Sequence, residues 1–161
     1  MKTTQVFVYL AISCAGLLDL HKKALKLLII DGYYCRYAAF NAPEKLIKAL
    51  KAANPKPDLL IASYKHQSSA IDGVQLLQRC KQIHAELKVV LTSLHFSTRN
   101  LLAIKKAPMQ PDAILKLLYG EPEPFVTLEE VLHTIKRRQV SEGFQKRRPA
   151  VRLGRTIPRL E

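Results

Sequence analysis

Short apolar runs alternate with longer amphipathic stretches along this chain, and that alternation predicts five strands and five helices. Val6 to Ile12 is a continuous β-branched and aromatic run, the composition of a strand buried on both faces. Leu17, Leu18, Leu25, Leu28 and Ile29 then recur at helical spacing with Lys22, Lys23 and Lys26 between them, and Gly32 supplies the stop. Tyr33 to Phe40 reads as a second strand, after which Asn41 is the expected cap of a helix over 43–53 with Pro43 just inside it. Asn54-Pro55-Lys56-Pro57 breaks that helix, and Asp58 to Ser63 forms a third strand entered from a proline. Val74, Leu76, Leu77, Cys80 and Ile83 mark the next helix. Lys88 to Ser93 is a fourth strand, and Ser97 caps a helix reaching about Lys106, ended by Pro108 and Pro111. Ala113 to Leu118 is the fifth strand, and Thr127-Leu128-Glu129-Glu130 opens a last helix, in capping-box form, that runs to about Arg138.

Strands alternating with helices demand right-handed crossovers and a parallel sheet covered on both faces. The fold class is therefore a doubly wound five-stranded α/β domain over residues 1–138, followed by a basic tail, 139–161. Gly143, Pro149, Gly154 and Pro158 punctuate that tail, which is expected to be extended. In doubly wound sheets function gathers at the carboxyl ends of the strands, beside the point where strand order reverses. Here those ends are Ser13-Cys14, Ser63-Tyr64 and Thr92-Ser93.

Composition agrees with one packed domain: of 161 residues, 48% are hydrophobic and 24% charged. Charge changes the picture more. From Lys136 to the end the chain carries nine Lys and Arg against two Glu, more than half of a net charge of +13. Such a segment attracts nucleic acid, anionic lipid or an acidic protein surface, or serves solubility as a solvated tail. Cys14, Cys35 and Cys80 are odd in number and far apart, so a reduced, cytoplasmic compartment is the expectation. The five histidines are scattered singly and read as ordinary surface or core residues, and no metal or cofactor is expected. Lys2 before the run from Val6 to Leu18 imitates a secretory signal, with Ala11-Ile12-Ser13-Cys14 brushing against a lipoprotein site, but the same residues are wanted as a strand. No other stretch approaches the ~20 apolar residues that span a bilayer, so no membrane role is expected.

Several patterns, taken in order, resemble the receiver domain of bacterial response regulators, the CheY-like family. They are Gly32-Tyr33, Pro57-Asp58-Leu59-Leu60-Ile61, Asp72-Gly73-Val74-Gln75-Leu76-Leu77, Val90-Leu91-Thr92-Ser93 and Pro111-Asp112-Ala113-Ile114-Leu115. The resemblance covers about residues 5–138 and implies a flavodoxin-like, receiver-like sheet. It also implies a phosphoacceptor aspartate ending the third strand and an acidic pair after the first, together holding Mg²⁺. This sequence departs from both: the phosphoacceptor position falls on Ser63, and the segment after the first strand is Ser13-Cys14-Ala15-Gly16. Hydroxyls and a thiol are poor substitutes for the carboxylates that offset dehydration of a divalent ion, and serine is not poised to form an acyl phosphate. Thr92 aligns with the family's switch hydroxyl or is simply a strand-end hydroxyl satisfying backbone. The family's lysine at the end of the fifth strand aligns with Lys116 or Leu117.

The expected function is thus a phosphorylation-independent pseudo-receiver, a protein-protein interaction module in signalling or transcriptional regulation that docks another signalling protein and is not an enzyme. It is similar in type to the pseudo-receivers of cyanobacterial clock-associated proteins. Its degenerate pocket comprises Ser13, Cys14, Ser63, Thr92 and Lys116. Its partner face, implied by the resemblance, is Ser97 to Arg138, where Tyr119 and Phe125 flank a proline pair, joined by Arg137, Arg138, Arg147 and Arg148. The alternative is a nucleic-acid-associated regulator binding through residues 136–161, although Phe144 is that segment's single aromatic and no helix-turn-helix pattern occurs. An enzyme on this fold would want a Gly-rich phosphate loop after the first strand, where the chain offers Gly16.

Overall fold

A computed structural model describes residues 3–66, 69–116 and 123–146. The chain forms β1 (Thr4–Ala11), α1 (Ala15–Leu27), a 3-10 turn (Leu28–Asp31), β2 (Tyr33–Ala39), α2 (Pro43–Ala52), β3 (Leu59–Ser63) and α3 (Gly73–Ile83). β4 (Lys88–Ser93), α4 (Thr98–Lys106), β5 (Ala113–Lys116) and α5 (Glu123–Lys146) complete it. All strand pairs are parallel and the order is β2-β1-β3-β4-β5, the flavodoxin-like arrangement. The strand order reverses between β1 and β3, so the crevice beyond their carboxyl ends is where a ligand would sit in this architecture.

Alternation along the strands builds two cores. Val6, Val8 and Leu10 of β1, with Ile61, Val90 and Leu115, pack under α1 and α5. Tyr9, Leu60, Ala62, Val89 and Leu91 pack on the other face under α2, α3 and α4, together with Leu46, Leu76 and Ile104. β3, at the centre, is buried along its whole length, as an apolar run in a doubly covered sheet must be. The turn before β2 needs Gly32, whose φ of 83° lies in the left-handed region.

Three helix ends differ from the sequence expectation. The N-cap of α2 is Ala42 and makes no side-chain cap bond, so Asn41 does not cap it; Pro43 at the first helical position needs no donor there. α5 starts at Glu123 rather than Thr127 and continues to Lys146 rather than ending near Arg138. Pro124 fits a first helical turn, and no proline follows before Pro149 to stop the helix. Lys136, Arg137 and Arg138 are consequently interior helix residues and not its end.

The amino edge of the sheet is tied by carboxylates. The Asp58 backbone donates to the Phe7 carbonyl at 2.8 Å while its carboxylate accepts from the Phe7 N–H at 2.9 Å. Asp112 repeats the arrangement on Val89, at 2.8 Å for both bonds. Arg138 of α5 reaches Asp58 at 3.4 Å, the Glu86 carbonyl at 2.6 Å and the Glu142 carboxylate at 3.7 Å, while Lys81 and Lys88 flank Asp112 at 3.1 and 3.5 Å. Each Pro-Asp pair thus closes the entrance of a strand and anchors a helix to it.

Candidate functional site

The carboxyl edge is built from hydroxyls and one imidazole. Ser63 ends β3 and Thr92 lies beside it in register on β4; both are buried, at 6% and 0% exposure. They follow Ile61 and Val90 by two positions, so alternation turns them to the face that α1 and α5 cover. Ser13, in the turn between β1 and α1, donates its backbone N–H to Ser63 Oγ at 3.2 Å, and its own Oγ donates to the Lys65 carbonyl at 3.1 Å. These bonds close the turn over the end of β3. The α3 side is equally tight: a Cβ at Gly73 would lie 2.8 Å from the Ser63 carbonyl oxygen and 2.9 Å from Tyr64 Cα, so only glycine allows this approach.

His21 completes the group. It projects from α1, is 2% exposed, and places Nε2 at 3.3 Å from Thr92 Oγ1. Burial, which penalises the charged imidazolium, lowers its pKa to about 4, so the ring is neutral at physiological pH. The hydroxyl at the end of β4 is therefore engaged by a neutral side chain of the domain itself.

The remaining pocket candidates separate. Cys14 is the exposed N-cap residue of α1 and forms no side-chain cap bond. Lys116 pairs in register with Ser93, one position beyond the pair Thr92 and Leu115. Leu115 is buried in the α1 and α5 core, so Lys116 lies on the opposite side of the strand, exposed, and does not join Ser63 and Thr92. Position 117, the other candidate for that lysine, lies outside the described residues. So do Tyr119, Arg147 and Arg148. Phe125 falls within α5. Arg137 is exposed on α5, whereas Arg138 is held in the ionic network of the amino edge.

The group does not fit Mg²⁺. That ion holds its place through carboxylate oxygens that offset its reluctant dehydration, and Ser13, Ser63, Thr92 and a neutral imidazole offer no negative oxygen. Among the described residues no three His, Cys, Asp or Glu side chains come together as a metal site. Cys35 and Cys80 are pushed up to about 11 and about 12 by burial, which removes both as thiolates at neutral pH.

With the fold and this geometry established, likeness to solved structures can be judged. No protein-family model matches the sequence, and no curated protein matches it closely. Several solved structures superpose well. A CheY-like response regulator receiver domain protein from Methanospirillum hungatei gives a TM-score of 0.61 at 15% identity, covering 87% of this chain and 99% of that one. RcsB from Salmonella enterica, solved bound to a promoter with a phosphomimetic, gives 0.62 at 19% identity, covering 81% and 98%. The fold is that of a receiver domain. NtrX from Brucella abortus, solved with ATP, gives 0.63 at 22% identity over 85% of this chain, which spans only 29% of the NtrX chain. Among the described residues no helix is long and apolar enough to cross a membrane.

The residue that sequence reasoning passed over is His21. Leu17, His21, Leu25 and Leu28 share one buried helical stripe at spacings of four, four and three, a signal that places His21 beneath the sheet end.

Proposed function

We propose that this chain is a phosphorylation-independent pseudo-receiver, a receiver fold that acts by docking another signalling protein. The observation that carries the reading is the Ser13, Ser63, Thr92 and His21 group, which stands at the catalytic end of the fold without a carboxylate. A serine hydroxyl in place of the acceptor cannot yield an acyl phosphate, and the uncharged donors around it cannot gather a divalent ion to neutralise a phosphoryl group. Such a domain signals through the shape it presents, since the event that would change that shape has no chemistry to drive it. The face from Ser97 to Arg138 is the proposed docking surface, with Tyr119, Phe125 and Arg137 as its anchors, extended by Arg147 and Arg148. Exposed Leu102, at 49%, supports an apolar contribution there, with exposed Leu94 just before that face in the chain. The cytoplasm is the proposed location, in keeping with the unpaired cysteines.

The test is exposure of the full chain to acetyl phosphate and Mg²⁺ with intact-mass detection. The reading expects no phosphoryl adduct, and an adduct mapped to Ser63 or its neighbours would defeat it.

A second reading, nucleic-acid association through residues 136–161, is favoured by one observation: more than half of the +13 net charge falls in that segment, and Lys136 and Arg137 are exposed on α5. It expects affinity for duplex DNA that falls steeply with salt and is indifferent to base sequence, and a salt-independent result would rule it out.

A further inference from the structure

β2 is an edge strand, and its free side carries features that the carboxyl edge and the α4 to α5 face do not use. The backbone bonds flanking the β1 and β2 ladder, Thr4 N–H to the Gly32 carbonyl and Phe40 N–H to the Leu10 carbonyl, fix which groups face inward. With Thr4 opposite Tyr33 and Leu10 opposite Ala39, the parallel pattern sends the N–H and C=O groups of Tyr33, Cys35, Tyr37 and Ala39 outward. Among the described residues nothing pairs with that row, and a row of open donors and acceptors is a template for one more strand.

Side chains around that row are apolar and cationic. Of the large hydrophobic residues that lie exposed, Leu27, Ile29, Ile30 and Tyr34 fall within eight consecutive positions next to the strand, and Ile30 is 79% exposed. Three cations stand over aromatic rings here: Lys22 over Tyr37 at 5.8 Å, Arg36 over Phe7 at 5.4 Å and Lys136 over Tyr33 at 5.8 Å. Glu129 and Asp31 bear on Tyr33, at the strand's amino end.

We propose that the free edge of β2 binds an extended acidic segment of a partner protein as a sixth strand. Backbone groups of Cys35, Tyr37 and Ala39 would pair with it, its carboxylates would meet Lys22 and Arg36, and its apolar residues would cover Ile29, Ile30 and Tyr34. A second copy of this chain is the poorer occupant. Antiparallel self-pairing centred on β2 would bring Arg36 against Arg36, between molecules that each carry +13. This surface lies on the sheet edge opposite β5, so it goes beyond the docking face already proposed and stands or falls separately from it.

The probe is an eight-residue peptide repeating Glu-Glu-Val-Val, which puts carboxylates and apolar side chains on both faces of the added strand, titrated into the ¹⁵N-labelled full chain, with the peptide carrying lysine in place of glutamate and a thymidine oligonucleotide as comparisons. The expected result is saturable shifts at the amides of Tyr33, Cys35, Tyr37 and Ala39 with the acidic peptide alone. Arg36→Glu should weaken that binding about tenfold or more. Ala39→Pro removes one outward N–H on an edge where proline is tolerated and should weaken it as well, with circular dichroism showing the fold intact. No saturable shifts, shifts centred on another surface, equal binding of the basic peptide, or a stronger response of the same amides to the oligonucleotide would each overturn the proposal. Concentration-dependent self-association through these amides would overturn it in favour of a second copy.

Discussion

At the amino edge of the sheet Asp58 and Asp112 each hold a neighbouring strand by two backbone-directed bonds and gather Arg138, Lys81 and Lys88 around them. At the carboxyl edge, two strand ends of the same sheet carry Ser63 and Thr92, and the group nearest Thr92 is the neutral ring of His21. Carboxylates on this domain thus serve cohesion at one edge and are missing from the group at the other, where a working receiver would need them. Charge placed at the amino edge is compensated on the spot by ion pairs. The group of Ser13, Ser63, Thr92 and His21 is neutral instead, and a neutral group can be buried without a counter-ion.

The largest expected effect that separates the edges is the response to acid. Because the folded pKa of His21 is depressed from 6.5 to about 4, the unfolded chain binds more protons between those values, so stability is full above pH 6.5 and falls as pH drops towards 4. Chemical denaturation across that window should show a loss of about 3 kcal/mol from this residue. His21→Leu should flatten the curve, and an unchanged slope would place the acid response elsewhere.

Next in size are two substitutions, one at each edge. Asp58→Ala strips the Phe7 N–H of its carboxylate partner and Arg138 of one of its partners and should cost about 2 kcal/mol, read from the urea midpoint. Gly73→Ala forces a methyl against the Ser63 carbonyl and should cost about as much, about 2 kcal/mol. If Asp58→Ala were neutral, the ionic network would be decoration and the contrast between edges would lose its amino half.

A smaller effect sharpens the carboxyl half. Thr92→Val leaves a buried imidazole nitrogen without its partner and should cost about 1 kcal/mol. Combined with His21→Leu the cost should be less than the sum, since the two changes remove a single hydrogen bond. Strict additivity would mean that the 3.3 Å contact contributes nothing.

The layered fold was legible because each strand is a short apolar run and each helix carries a clear stripe; the expected Asp58 to Ser63 and Lys88 to Ser93 lie within one residue of β3 and β4 as observed. The absence of carboxylates at Ser13, Cys14 and Ser63 was equally plain. What escaped was three-dimensional. A buried histidine between leucines looks like any core residue until the sheet end beneath it is known. The side of β5 on which Lys116 falls depends on strand register, which emerges only when Leu115 is seen paired with Thr92. The basic run Lys136 to Arg138 imitates a helix end, and its true role became visible only when Arg138 met Asp58, eighty residues away.

The central claim, that the carboxyl edge is closed to phosphoryl chemistry, is tested most directly by titrating the full chain with Mg²⁺ and beryllofluoride while following backbone amides by NMR. The account predicts no shifts at Ser13, Ser63 or Thr92. Saturable shifts clustered at those three residues would contradict it and make this edge a working receiver site.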